Sequence, residues 1–278
     1  MLRSSILLAC LCAFTSCMYQ GDQVNWQRYP YLVKILVRDL NTTEISTCSG
    51  TLISPTAVLT SAKCFQSDNV NTEAQAIITQ IGSNTTYNKA MLAIRKDEKI
   101  AVMRIDAVRE DKLCDPAPYP PRFSRLNFHT SLLDASYQSV KAKELTEKRC
   151  RIIGFETNDD VEMFADSKDV QSLELLIREL DDNSAFSEIT NPKTSGRACW
   201  DDIGAPLECA INEENIFVQV GFLHTVYAHK VKEDPLNFNT TCSNIDTMEF
   251  VVFGDVSLAT NIANSDKIGV LNAQDKCF

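Results

Sequence analysis

The chain has 278 residues, 44% hydrophobic and 23% charged, an ordinary composition for a globular protein. Its formal net charge of −10 disfavours nucleic acid and anionic membrane surfaces as partners, since both are polyanions. The length suits one large β domain or two small barrels sharing a core.

The chain opens with one basic residue, Arg3, then an apolar run from Ile6 to Phe14 and small residues at Thr15, Ser16 and Cys17. That layout predicts a secretory leader over 1–17, and its apolar run is too short to span a bilayer. Phe14 to Cys17 also has the outline of a bacterial lipid-attachment box, but the residue before Thr15 is aromatic where an aliphatic one is normal. Asn41, Asn84 and Asn239 each begin an Asn-Thr-Thr glycosylation sequon, which fits a eukaryotic secretory route and an extracellular destination. Of the eleven cysteines, Cys10, Cys12 and Cys17 lie in the leader; the others are even in number, so a disulfide framework is expected.

Strand-like apolar or alternating runs follow at Tyr31–Val37, Gly50–Thr60 (broken by Ser54-Pro55), Ala76–Ile81, Met91–Arg95, Ile100–Ile105, Arg151–Phe155, Leu173–Ile177, Phe217–Leu223 and Phe250–Val256. Many short strands with little helical periodicity predict an all-β architecture. The clustered prolines of Cys114–Pro121 remove backbone donors and read as a linker between two β-rich halves. Glu156–Glu188 is acid-rich, reads as a solvated insertion, and contains one helical pattern, Asp169 to Leu180.

Several ordered segments carry a resemblance. They are Pro30-Tyr31-Leu32-Val33, the unit Cys48–Cys64 (CSGTLISPTAVLTSAKC), Ile100–Ile105, Cys150 with Gly154-Phe155, Cys199–Cys209, Gly221-Phe222-Leu223 and Val252–Val256. In this order and spacing the chain resembles the trypsin/chymotrypsin-like serine proteases over nearly its whole length after the leader. The resemblance implies two antiparallel six-stranded β-barrels with a short C-terminal helix. It divides 18–278 into an N-terminal barrel of about 28–113, a linker of about 114–128, a C-terminal barrel of about 129–262 and a tail of 263–278. The terminal cysteine and the altered catalytic positions also resemble a divergent trypsin-like branch found in nematodes.

The resemblance fails where the chemistry should be. The general-base histidine of the family, which precedes a cysteine in Ala-His-Cys, is Lys63 here. A protonated lysine has no lone pair with which to take a serine proton, whereas a neutral imidazole has one. The orienting aspartate before the Ile100–Ile105 strand is Lys99, and a cation can neither fix an imidazole tautomer nor stabilise an imidazolium. The nucleophile of Gly-Asp-Ser-Gly-Gly-Pro falls on Ile203 in Asp201-Asp202-Ile203-Gly204-Ala205-Pro206, and isoleucine has no heteroatom to attack a carbonyl. The glycine that donates to the oxyanion hole is Asp201, whose carboxylate opposes developing negative charge. In the specificity pocket, Arg197 stands at the trypsin aspartate position and His224-Thr225-Val226 replaces Ser-Trp-Gly, so Val226 narrows what a glycine would leave open.

The resemblance also proposes disulfides Cys48 to Cys64, Cys150 to Cys209 and Cys199 to Cys242, and leaves Cys114 to pair with Cys277. Asp202 matches the aspartate that receives a new α-amino group when family zymogens are cleaved, yet this chain has no Arg-Ile-Val-Gly-Gly site. Counting back from Pro30, the equivalent amino terminus falls near Met18, the residue after the predicted leader. Two readings stand: Met18 inserts beside Asp202 with no activation step, or 18–27 is a disordered or surface tail and backbone donors satisfy Asp202.

Functionally, the pattern predicts a secreted, non-catalytic protease homologue that binds a protein or glycan, in protease regulation or defence, with no cofactor. The competing reading is a hydrolase using displaced groups, with Ser61 and Lys63 as a serine-lysine pair. His129, His224 and His229 do not make a zinc pattern, so no metal is expected.

Overall fold

The computed structural model describes residues 18, 21–38, 45–54, 57–65, 75–80, 86–88, 91–94, 99–104, 140–155, 169–189, 196–211, 216–228, 242 and 244–254. The leader, the proline-rich linker, the Cys114 to Cys277 pairing, the C-terminal helix, the three sequons, His129 and His229 lie outside the described residues.

The described chain is built from strands and short 3-10 turns. It begins with β1 (Asp22–Asn25). Next come β2 (Leu32–Arg38), β3 (Ile45–Ser54), β4 (Ala57–Ser61), β5 (Gln75–Gln80), β6 (Thr86–Asn88), β7 (Met91–Ile94) and β8 (Ile100–Arg104). The second half holds β9 (Cys150–Phe155), β10 (Asp169–Leu175), β11 (Arg178–Asp181), β12 (Ser184–Glu188), β13 (Pro206–Ala210), β14 (Phe217–Ala228) and β15 (Ile245–Val252). They form two antiparallel sheets, a seven-stranded one in the order β6-β5-β2-β3-β4-β8-β7 and an eight-stranded one in the order β1-β10-β9-β13-β14-β15-β12-β11. The two-barrel reading stands, with extra strands at the edges; β1 comes from the amino-terminal segment and pairs with β10, Gln23 opposite Gln171.

The patterns explain the layers. β2 is a run of branched aliphatics flanked by β3 and β5, and β4, between β3 and β8, is buried at every position. Leu32, Val33, Ile35, Leu52, Val58 and Met103 fill the first core, which also takes in Ile153, Phe155, Val170 and Ile203 from the second half of the chain. Ile152, Leu207, Val220, Leu223, Phe250 and Val252 fill the second core. Each such side chain, fully buried, contributes about 1.5–3 kcal/mol.

The chain between 169 and 180 corrects one expectation, because the helical pattern is strand. Val170, Leu173, Leu176, Ile177 and Leu180 recur at helical spacing, but β10 pairs with β9 over six positions, Val170 opposite Phe155 to Leu175 opposite Cys150. Leu176 and Leu180 then project into solvent, 77% and 57% exposed. The ladder to β9, distant in sequence, overrides the local period.

Three disulfides are present among the described residues. Cys48 joins Cys64 with Cα atoms 6.0 Å apart, Cys150 joins Cys209 at 4.1 Å, and Cys199 joins Cys242 at 5.4 Å.

Candidate functional site

The positions that the resemblance aligns with the catalytic residues lie where β3, β4 and the turn Ala62–Phe65 meet the 3-10 turn Trp200–Asp202 and β14. Cys48 to Cys64 ties the first turn to β3. The Ala62 amide donates to the Lys99 carbonyl at 2.9 Å, which sets the backbones of Lys63 and Lys99 side by side. Lys63 is half-buried, and its own amide donates to Ser61 Oγ at 3.2 Å. Lys99 reaches across to the second sheet, where its Nζ donates to Ser184 Oγ on β12 at 3.1 Å.

Ile203 follows the turn Trp200–Asp202 and is 6% exposed, its side chain packed in the first core. Its carbonyl accepts from the Ser49 amide at 2.9 Å, and its amide donates to the Trp200 carbonyl at 3.3 Å. The turn thus points inward an N–H that an oxyanion site would need to point at substrate. Asp201 is half-buried, and its carbonyl accepts from Ser49 Oγ at 3.4 Å. Gly204 has φ +89, and a Cβ there would strike the Ser49 carbonyl oxygen and Thr60 Oγ1. Gly204→Ala is therefore expected to cost about 1–3 kcal/mol, read as a lower denaturant midpoint.

Arg197, His224 and Val226 are all buried, at 0%, 5% and 1% exposure. Arg197 Nη1 donates to the Ile245 carbonyl at 3.1 Å, and Val226 packs in the second core. His224 Nδ1 lies 3.0 Å from Ser61 Oγ. Sequence reasoning paired Ser61 with Lys63; the structure gives its hydroxyl to His224, while the Lys63 side chain has no hydrogen bond to it.

A buried carboxylate lies next to Ile203 in sequence, at Asp202. Asp202 is 1% exposed; its Oδ2 accepts from the Cys199 amide at 2.8 Å, and its Oδ1 has no hydrogen-bond partner. Burial pushes its carboxyl up to about 8, opposed by the Cys199 hydrogen bond, with the Asp201 charge raising and Lys34 lowering it further. Met18 is 0% exposed and belongs to the second core. A Cβ on Gly154 would collide with Asp202 Oδ1 and lie 2.7 Å from Met18 Cε, so Met18 and Asp202 flank the same glycine. Met18 is buried and Asp22–Asn25 is a paired strand that stays largely exposed, and a backbone donor meets one oxygen of Asp202 while the other has no hydrogen-bond partner.

Gln171 was missed. Its buried Oε1 also lacks a partner and would lie 2.9 Å from a Cβ on Gly21, where Met18 Cβ would lie at 3.3 Å. Nothing in the sequence distinguishes this glutamine from a surface one, because its burial depends on β1 and Met18 covering it.

Among the described residues no three His, Cys, Asp or Glu side chains are grouped as metal ligands, and no helix is long and apolar enough to cross a membrane.

A search of curated proteins finds no match. Among solved structures, the chain is similar to HL collagenase, with 12% identity and a TM-score of 0.57, over 89% of this chain and 98% of that one. It is also similar to the scabies mite inactivated protease paralogue S-I1, with 15% identity and a TM-score of 0.51, over 88% and 98%. At these identities the likeness establishes the fold. The family model described as Trypsin matches residues 18–209, well over half of the chain, beginning at the buried Met18. With the paired sheets and the disulfides described above, that match makes this chain a member of the trypsin family.

Proposed function

We propose that the protein is a secreted, non-catalytic trypsin-family homologue that acts by binding a protein or glycan, in protease regulation or defence. The observation that carries this reading is Ile203: its side chain is packed in the first core and its amide is bonded to the Trp200 carbonyl. A site without a nucleophile, and with that donor turned inward, has neither group that acyl transfer needs. The disulfides, two cores and paired sheets are kept intact, which suits selection for a scaffold and its surface rather than for turnover. One of the structurally similar proteins is itself named an inactivated protease paralogue. Cys48 to Cys64, Cys150 to Cys209 and Cys199 to Cys242 support export through an oxidising compartment, with 1–17 as the leader.

The test is labelling of the secreted protein with a fluorophosphonate serine-hydrolase probe, alongside incubation with a broad peptide library. The expected outcome is no labelling and no cleavage. Crosslinking in the native fluid then identifies the ligand class. A second reading is favoured by the 3.0 Å contact between Ser61 Oγ and His224 Nδ1, an arrangement of nucleophile and base displaced from the family positions. Ser61 is 0% exposed, so substrate would need the site to open. Covalent labelling that disappears in Ser61→Ala would replace the binding reading with this one.

A further inference from the structure

We infer that Tyr227 and Glu249 form a binding site for one basic side chain, arginine or lysine, of a partner peptide or protein. The inference rests on the binding reading above and names the chemistry of its ligand.

The two residues lie on the neighbouring strands β14 and β15, where Thr225 is opposite Glu249 and Tyr227 is opposite Thr247. Diagonal neighbours of this kind are within reach of each other when the side chains are long. The Tyr227 hydroxyl donates to Glu249 Oε2 at 2.7 Å, which holds the ring beside the carboxylate. That bond, with burial and the Glu249 charge adding to it, pushes the hydroxyl up to about 12, so it stays a neutral donor at physiological pH. The ring is 45% exposed, the one aromatic among the large hydrophobic side chains that the described residues leave in solvent. Glu249 is half-buried, and among the described residues it makes no ion pair and its Oε1 has no hydrogen-bond partner. A cation on an exposed tyrosine face is attracted by the ring, and a carboxylate partly withdrawn from water holds it more strongly than a fully solvated one. A guanidinium can do both at once, stacking on the ring and donating to the free oxygen.

The interior of the same region offers a basic side chain nothing comparable. Arg197, fully buried, stands where trypsin has its specificity aspartate, and Val226, the residue before Tyr227 on β14, is packed in the second core. Alternation along the strand turns Tyr227 the other way, so the carboxylate available to a basic group is on the outer face. The net charge of −10 draws a cationic segment toward the protein. A neutral sugar can stack on the ring but gains nothing from that field.

The test is a nuclear magnetic resonance titration of the intact secreted protein carrying labelled tyrosine, with the Tyr227 signal assigned from its absence in Tyr227→Phe. The probes are acetyl-Ala-Ala-Arg-Ala-amide, its lysine counterpart, its uncharged citrulline counterpart, and di-N-acetylchitobiose. Saturable shifts of Tyr227 with the arginine peptide alone assign a guanidinium, and shifts with both basic peptides assign any side-chain cation; either supports the inference. The citrulline peptide should bind roughly tenfold more weakly or worse, and Glu249→Gln should weaken the arginine peptide by a similar factor. Tyr227→Leu, followed through the resonances of the peptide, should lose about as much. The Tyr227 ring is exposed and Glu249 is only half-buried, so these variants are expected to fold, and their melting curves check this. Equal binding of the citrulline peptide, an unchanged affinity in folded Glu249→Gln, tighter binding of the disaccharide, or no saturable shift with any probe overturns the inference. The serine-hydrolase labelling result is independent of these outcomes, so a failure here leaves the non-catalytic reading to stand or fall separately.

Discussion

Glu208→Ala is expected to destabilise the protein by about 3–5 kcal/mol, the cost of stranding buried partners of a carboxylate. Glu208 sits in the middle of β13, 3% exposed, directly opposite Arg151 on β9. Its Oε2 accepts from Arg151 Nε at 3.1 Å and Nη2 at 2.9 Å, and its Oε1 accepts the hydroxyl of Tyr31. The guanidinium is also stacked between aromatic faces, 3.9 Å from the centre of the Phe217 ring and 5.3 Å from that of Tyr29. Tyr29 and Tyr31 pack in the first core, whereas β9 and β13 belong to the second sheet, so this one carboxylate couples the two halves. Removing it leaves a three-quarters buried cation and a buried hydroxyl without their acceptor. Chemical denaturation of Glu208→Ala measures the loss. Arg151→Met, which removes the charge as well, should lose less in the Glu208→Ala background than alone, and strict additivity would show that the pair is not coupled. Burial, and then the Glu208 charge, raise the Tyr31 hydroxyl well above the ordinary tyrosine range. The ultraviolet tyrosinate signal of Tyr31 should therefore appear only as the protein unfolds in alkali.

The same residue marks how far the sequence could be read. Glu208 in Pro206-Leu-Glu-Cys-Ala looks like an outward position of an alternating strand, yet β13 is buried along its whole length between β9 and β14. Central strands lose the polar-out alternation that makes strands legible, and the partners that satisfy such a glutamate lie 57 and 177 residues away. Where one face did alternate or an apolar run was unbroken, as in β2, β4, β8 and β9, the pattern located the strand to within a few residues. β14 runs to Ala228 because His224 and Thr225, polar residues in the middle of the strand, are buried against β4 and its turn. The same polarity ended the apolar run in the sequence. The segments around Lys63 and Ile203 could be placed because cysteines fixed the register on both sides of them. The backbone turn that takes up the Ile203 amide was not, since no residue type encodes it. Met18 could be reached by counting back from Pro30, whereas Gln171 was legible only once β1 was seen to lie along β10.

That segment supports the second large effect, which concerns what happens when the leader is removed. We propose that the mature chain begins at Met18 and that its α-ammonium supplies the donors that Asp202 Oδ1 and Gln171 Oε1 lack, the Gln171 contact being our addition to the family pattern. In a chain extended before Met18, Asp202 has its ordinary value of 3.8 when unfolded and about 8 when folded. Between those values the folded state keeps a proton that the unfolded state has lost, so stability falls as pH rises from about 4 to about 8. In the mature chain the paired ammonium lowers the carboxyl again, and the amine, near 8 when unfolded, is raised by its partner. Its contribution is complete below about pH 8 and is lost as pH climbs through the raised value. The two forms should therefore melt alike near pH 5 and diverge toward pH 8, the extended form becoming the weaker by several degrees. The comparison uses the secreted chain and the same chain carrying a Ser-Gly extension, with both termini checked by mass spectrometry. Asp202→Asn should act with opposite sign in each: it relieves a buried charge in the extended form and removes the ammonium's counterion in the mature one. Superimposable pH profiles, or an amino terminus found elsewhere than Met18, would show that the orphan oxygens have another use. If the profiles diverge as expected, signal removal alone completes the fold around Asp202.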